Sequence, residues 1–242
     1  MDDIVQGINQ AINLIVTLNP DVMHIAVLSL SISLSATILA AVIAIPLGGF
    51  IHFHEFYGKR ALLVLIQTLY SVPTVVVGLV IYLMISKAGP LGFLGLLFTP
   101  AGMILGQTVL IIPIMLGLVI SALSGVDRGI SDTLVALGAT GFQKIVEIVK
   151  EARYAILSAV VLGFGRAIAE VGVAMMIGGN IRDQTRVLTT AITLETGMGN
   201  FGFSIALGII LLVVALIVVV ILNIITSGMS RDFLWNRGGS QG

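Results

Sequence analysis

Four stretches of this sequence go without Asp, Glu, Lys or Arg for far longer than a water-facing chain allows: residues 22–54, 61–86, 88–126 and 196–230, with lengths of 33, 26, 39 and 35. A helix advances about 1.5 Å per residue, so roughly 20 apolar residues cover the ~30 Å hydrocarbon layer of a bilayer. Each stretch therefore holds one crossing. The third is too short for two crossings and a loop, and its beginning, Gly89-Pro90-Leu91-Gly92 through Thr99-Pro100, is loop chemistry. Its membrane helix is left as 101–123. Charged residues make up 10% of the 242, against about 25% in soluble domains. Such a chain lacks the polar surface that keeps a protein dispersed in water.

A fifth crossing is less obvious, because residues 154–181 are long and mostly apolar but include Arg166 and Glu170. Charges four residues apart share a helix face and satisfy one another inside a bundle, so the segment is retained. The expected organisation is an extracytoplasmic segment 1–21, a transmembrane domain 22–230 with spans at about 22–50, 61–86, 101–123, 154–181 and 199–229, a long loop at 124–153 and a tail at 231–242. The class is all-α, a polytopic membrane protein of five transmembrane helices. Lys59, Arg60, Arg128, Lys144, Lys150, Arg153, Arg231 and Arg237 gather on one side, and Lys87, Arg182 and Arg186 on the other. The richer side is cytoplasmic by the positive-inside rule, which puts the amino terminus outside and the carboxyl terminus inside. Ile4, Ile8, Ile12, Ile15 and Val16 recur at helical spacing, as in a short interfacial helix; a frayed terminus is the plainer alternative.

Several function classes drop out. Net charge is zero, so the basic excess of a nucleic-acid binder is missing. No cysteine means no disulfide, thiolate zinc site or cysteine nucleophile. The acidic start, Met1-Asp2-Asp3, is unlike a secretory signal, and the whole chain is expected to be mature protein. No phosphate loop exists: in Gly138 to Lys144, Gln143 stands where the second glycine belongs and Ile145 where the magnesium-binding hydroxyl belongs. The only histidines, His24, His52 and His54, sit near the ends of the first span and read as interfacial. We expect no catalytic residue, no metal and no cofactor in this chain, so uphill movement would draw on another chain or an ion gradient.

The loop 124–153 holds eight of the 24 Asp, Glu, Lys and Arg residues, which marks it as the place where something outside the membrane is handled. Ser131 and Asp132 are read as caps of a short helix 133–137, and Gly138 as the permissive residue of a turn. Thr140-Gly141-Phe142-Gln143 has the spacing of a capping box, hydroxyl at the N-cap and amide at N3. Ile145, Ile148, Val149 and Ala152 then form one apolar stripe. Phe142 is thus carried on the first turn of a cytoplasmic helix, either tucked against its own bundle or serving as an anchor for a partner's pocket.

Asp132-Thr133-Leu134-Val135-Ala136-Leu137-Gly138 followed by Ala139-Thr140-Gly141-Phe142-Gln143 resembles the EAA loop of ABC importer permeases, with Asp132 for the glutamate, Gly138 at its spacing, and Thr133 and Leu134 in place of the alanines. The family's terminal Leu-Pro is replaced by Lys150-Glu151. Ser71-Val72-Pro73-Thr74-Val75-Val76-Val77-Gly78 and Gly165-Arg166-Ala167-Ile168-Ala169-Glu170-Val171-Gly172 resemble segments of molybdate and sulfate permeases, with Ala169 for a glycine. Met175-Met176-Ile177-Gly178-Gly179-Asn180-Ile181 and Thr185-Arg186-Val187-Leu188-Thr189-Thr190-Ala191-Ile192 are similar to tungstate-type permeases. The resemblance covers residues 22–230 and implies the type I (MetI-like) ABC importer permease fold in a prokaryotic cell membrane. It further implies a homodimer, two ATPase subunits that bind ATP and Mg, and an extracytoplasmic oxyanion-binding protein. Asp132, Gly138, Ala139, Thr140, Gly141, Phe142 and Gln143 would then couple to the ATPase. Among tungstate, molybdate, vanadate and sulfate, tungstate is the expected cargo.

Within the membrane, Arg166 and Glu170 are expected to pair, since burying either alone is costly. A structural lock is the expected role; a share in the anion's passage is the sharper alternative. Pro46, Pro73 and Pro113 are each expected to interrupt a span. Gln67, Ser71 and Thr74 are read as one face of the second span beside Pro73, the candidate pore lining. Gly102 and Gly106 allow close helix packing without specifying a function. A secondary transporter would show inverted repeats or more intramembrane carboxylates, and an intramembrane hydrolase a nucleophile and base; the sequence shows neither.

Overall fold

The computed structural model describes residues 2–238; Met1 and residues 239–242 of the tail lie outside the described residues, as do the side chains of Ile4, Arg231 and Arg237. Every regular element among them is helical: α1 (Asp2–Val16), α2 (Pro20–Phe53), α3 (Lys59–Leu69), α4 (Thr74–Ile85), α5 (Pro100–Ser124), α6 (Arg128–Ala136), α7 (Gly141–Glu151), α8 (Arg153–Ile168), α9 (Leu188–Gly197) and α10 (Phe201–Gly238), with a 3₁₀ turn at Gly92–Leu94 and a π turn at Ala174–Gly178.

Three helices, α2, α5 and α10, are long and apolar enough to cross a membrane. The second expected span is broken rather than continuous: α3 and α4 are bent by 101°. Tyr70 and Ser71 close α3 with tight bonds to the Gln67 and Thr68 carbonyls, and Pro73 then has no N–H to offer and disfavours helical backbone at Val72. Pro46 and Pro113, by contrast, interrupt nothing; α2 and α5 run through them. A proline deletes one i→i−4 bond and bends a helix without ending it where the flanking bonds persist. The fourth expected span is also in pieces. Its first part, α8, stops after 16 residues, short of a crossing; the chain unwinds over 169–171 and coils again from Gly172 into the π turn.

The chain divides into two compact units, one comprising the residues up to Leu39, Val72–Ile111 and Phe164–Val218, the other Ala40–Ser71, Ile112–Gly163 and the chain after Val218. In the first, Val22, Ala26, Leu188, Ala191, Leu207 and Ile210 join α2, α9 and α10, while Ile81, Ile85, Leu110, Val173 and Ile177 join α4, α5 and the π turn. Glycines let these backbones approach. A Cβ on Gly106 would collide with Ile177 and lie 2.7 Å from Val173, and one on Gly78 would meet Met176 at 3.2 Å. The helix α1 is formed, with Ala11 buried and Gly7 against Ile205, while Ile8, Ile12 and Ile15 face outward.

In the second unit, the phenol of Tyr70 presses on Gly117, and Gly48 leaves room for Val119. Lys59 Nζ donates to the His52 and His54 carbonyls and to the Glu55 carboxylate, closing the end of α2, and Ser124 Oγ lies 3.2 Å from His52 Nδ1. Among the described residues of α10, Leu212, Leu216, Ile217, Val220 and Ile224 are exposed, a surface that only lipid or another apolar partner can cover.

Candidate coupling surface and intramembrane ion pair

Local chemistry builds the cytoplasmic loop almost entirely. Its first helix, α6, begins at Arg128 rather than near Thr133, because Asp127 is the cap: its carboxylate accepts the Gly129 N–H at 2.7 Å. Ser131 and Asp132 therefore lie inside α6, correcting the expectation that they cap it. The Asp before Arg128-Gly129-Ile130 is a legible N-cap signal that the stronger Ser-Asp pair obscured. At the far end Gly138 adopts φ +75°. Its N–H bonds the Val135 carbonyl and the Ala139 N–H bonds that of Leu134, both at 3.0 Å, the paired closure of a Schellman turn.

The expected capping box opens α7. Thr140 N–H donates to Gln143 Oε1 at 2.8 Å, and Gln143 N–H to Thr140 Oγ1 at 3.4 Å. The two motifs abut, leaving Phe142 on the first turn with 77% of its surface exposed. It is not tucked against the bundle. Val135 and Leu137 are exposed at 59% and 79%, so the loop displays three large apolar side chains on polar ground. Ile148 and Ala152, from the expected stripe, are buried and hold α7 to its own unit.

Arg166 and Glu170 do pair, Nη1 to Oε2 at 2.6 Å, with the carboxylate side chain 1% exposed and the guanidinium 34%. They do not share a helix. Arg166 lies on the last turn of α8, and Glu170 lies in the unwound stretch beyond it. The second carboxylate oxygen accepts the Val173 N–H at 3.0 Å, and the Glu170 carbonyl accepts Thr189 Oγ1 at 2.9 Å. Glu170 thus terminates one helix, caps the next turn and receives α9. The Val173 bond is a local cap three residues on, whereas Thr189 is brought from 19 residues away by chain folding back.

The pore-lining face expected on the second span is not one face. Gln67 is on α3, Ser71 in the break and Thr74 at the start of α4. Gln67, Ser71 and Pro73 are exposed, whereas Thr74 is half-buried and sits against Gly172, where a Cβ would lie 2.8 Å from its Oγ1. Thr74, Arg166 and Glu170 belong to the first unit, Gln67 and Ser71 to the second.

With this geometry established, similarity to known proteins decides the family. The model of binding-protein-dependent transport system inner membrane components matches residues 42–231. The chain belongs to that permease family. Among curated relatives, the tungstate uptake system permease protein TupB of Peptoclostridium acidaminophilum is 41% identical over 89% of this chain and 94% of its own length. TupB of Campylobacter jejuni is 38% identical over 96% of this chain and 95% of its own. The sulfate transport system permease protein CysW of Escherichia coli K12 is 30% identical over 73% of this chain and 63% of its own. The permease is therefore a multi-pass inner-membrane transport subunit of MetI-like fold and not an enzyme. Its family works with a substrate-binding protein and a separate ATPase.

Proposed function

We propose that this permease is the membrane-spanning subunit of an ATP-driven oxyanion importer with tungstate as cargo and molybdate as a competitor. It works as a homodimer on two ATPase subunits, which bind ATP and Mg, and takes substrate from an extracytoplasmic binding protein. Its amino terminus is outside and its carboxyl terminus in the cytoplasm. The loop 124–153 couples it to the ATPase, with Gly138 turning the chain, Thr140 and Gln143 fixing the start of α7, and Phe142 entering the partner. Asp132, Ala139 and Gly141 complete that surface. Arg166 and Glu170 lie along the route of the anion, together with Gln67 on α3, Ser71 and Pro73 in the break of the second span and Thr74 at the start of α4.

The observation that carries this reading is an exposed Phe142 on a preorganised helix start in a permease whose relatives include tungstate uptake subunits. An aromatic held outward by two satisfied capping motifs is poised as a hot spot. The test is uptake of labelled tungstate by cells expressing the permease with its ATPase and binding protein. Uptake that requires ATP and is competed by molybdate is expected. Uptake that needs no ATPase and collapses with the ion gradient would make the protein a secondary transporter.

A further inference from the structure

Arg186 differs from every other described cation of the first unit. Arg166 is paired with Glu170, Arg182 lies against Asp21 and Asp183, and Lys87 is exposed on the surface. Arg186 is half-buried, and no carboxylate among the described residues lies within ion-pair distance of it. Its Nη2 reaches only the Asn180 carbonyl, at 3.4 Å, and its Nε is buried without a hydrogen-bond partner. Leaving a desolvated donor of a charged group unsatisfied is costly, so the arrangement calls for an acceptor.

The protein around it is well ordered. Thr185 Oγ1 donates to the Gly178 carbonyl and accepts the Ile181 N–H at 3.0 Å, while Asn180 donates to the Thr190 carbonyl at 3.3 Å. At the start of α9 the Val187 N–H is met by Thr190 Oγ1 at 3.0 Å and the Leu188 N–H by Ser29 Oγ at 2.8 Å. Unmet demand falls on the Arg186 Nε, a donor, and on the buried Asn180 Oδ1, an acceptor that also has no partner. Thr189, three residues on, donates to the carbonyl of Glu170, so the segment carrying Arg186 is tied to the break in the fourth span.

Building on the oxyanion-import reading, we propose that Arg186 is a direct contact for the oxyanion during its passage, the anion supplying the acceptor that the buried Nε lacks. A tetrahedral oxyanion offers oxygens spaced for the planar donor fork of arginine. Arg166 is tied to Glu170 through Nη1; Arg186 holds no carboxylate among the described residues. One uncompensated guanidinium is also apt for passage rather than capture, since a transport route must bind strongly enough to admit and weakly enough to release.

The test uses the complete complex of permease, ATPase and binding protein in proteoliposomes, with tungstate as probe. The readout is the ratio of tungstate carried to ATP hydrolysed, which is independent of how much complex folds. Arg186→Gln should lower this ratio at least fivefold with ATP hydrolysis retained, and Arg186→Lys, which keeps the charge without the fork, should fall between that variant and the parent. An unchanged ratio in Arg186→Gln would overturn the proposal, as would failure of that variant to assemble, which would make Arg186 structural. An equal loss in Arg186→Lys also counts against it. If the unmutated complex assembles but carries none of tungstate, molybdate or sulfate, the oxyanion-import reading itself falls and takes this proposal with it.

Discussion

Replacing Phe142 with alanine should leave the permease folded and loosen its grip on the ATPase. The side chain is 77% exposed, and an exposed site of this kind changes stability by no more than about 0.5 kcal/mol. The surface available to a partner is large. A phenylalanine presents roughly 200 Å², of which about 150 Å² is free to be buried, worth ~4 kcal/mol at about 25 cal/mol per Å². Ordering the side chain at the interface offsets part of that, which leaves about 2–4 kcal/mol, or roughly a 30- to 800-fold rise in Kd. Titrating detergent-solubilised permease with the ATPase reads the affinity, and a melting curve of the permease alone reads the fold. An affinity unchanged within twofold would refute the reasoning, and so would a large fall in melting temperature, which would mean that Phe142 packs against its own chain.

Three further outcomes are expected. Arg166→Ala leaves the buried carboxylate of Glu170 uncompensated and should destabilise the permease by about 3–5 kcal/mol; neutralising both residues should recover expression and uptake, and uptake that stays lost in an assembled double variant would give Arg166 a part in the passage. Single cysteines at positions 144 and 182, placed in this cysteine-free chain, should be labelled by a membrane-impermeant reagent in intact cells only at 182, and labelling at 144 alone would invert the topology. Gly106→Val would drive side-chain atoms into Ile177 and Val173 and should cost about 1–3 kcal/mol; thermal stability equal to the parent would show that the π turn has room to give.

The parts of this protein readable in advance are those whose cause is local. The apolar intervals mark α2, α5 and α10 because lipid demands length and apolarity along one continuous segment. The turn at Gly138 and the box at Thr140 are equally plain, since both are settled within four or five residues. The three prolines look alike in sequence and behave differently. Pro46 and Pro113 sit among residues that continue a helix, whereas Pro73 follows a turn already closed at Tyr70 and Ser71. Glu170 was legible as Arg166's partner by spacing; its cap on Val173 is equally local but shows only once the helix is known to break at Ala169, and its bond from Thr189 exists only after the chain has folded back. The helix α9 is hidden for the same reason: its buried face meets Ser29, Val22 and Leu207 from distant stretches of chain.

The junction between α6 and α7 has a mechanical consequence. Between Leu137 and Thr140 the closing bonds of one helix and the opening bonds of the next occupy successive backbone donors, at Gly138, Ala139 and Thr140. Bending there means breaking bonds that water must then replace, so the elbow resists flexing in the way a free loop does not. A push delivered at Phe142 will travel down α7 as displacement instead of being absorbed as local slack. The buried Ile148 and Ala152 are where such a displacement would reach the rest of its unit, so that α7 is a stiff arm of 11 residues, or some 16 Å at the usual rise, with the exposed phenylalanine at its free end.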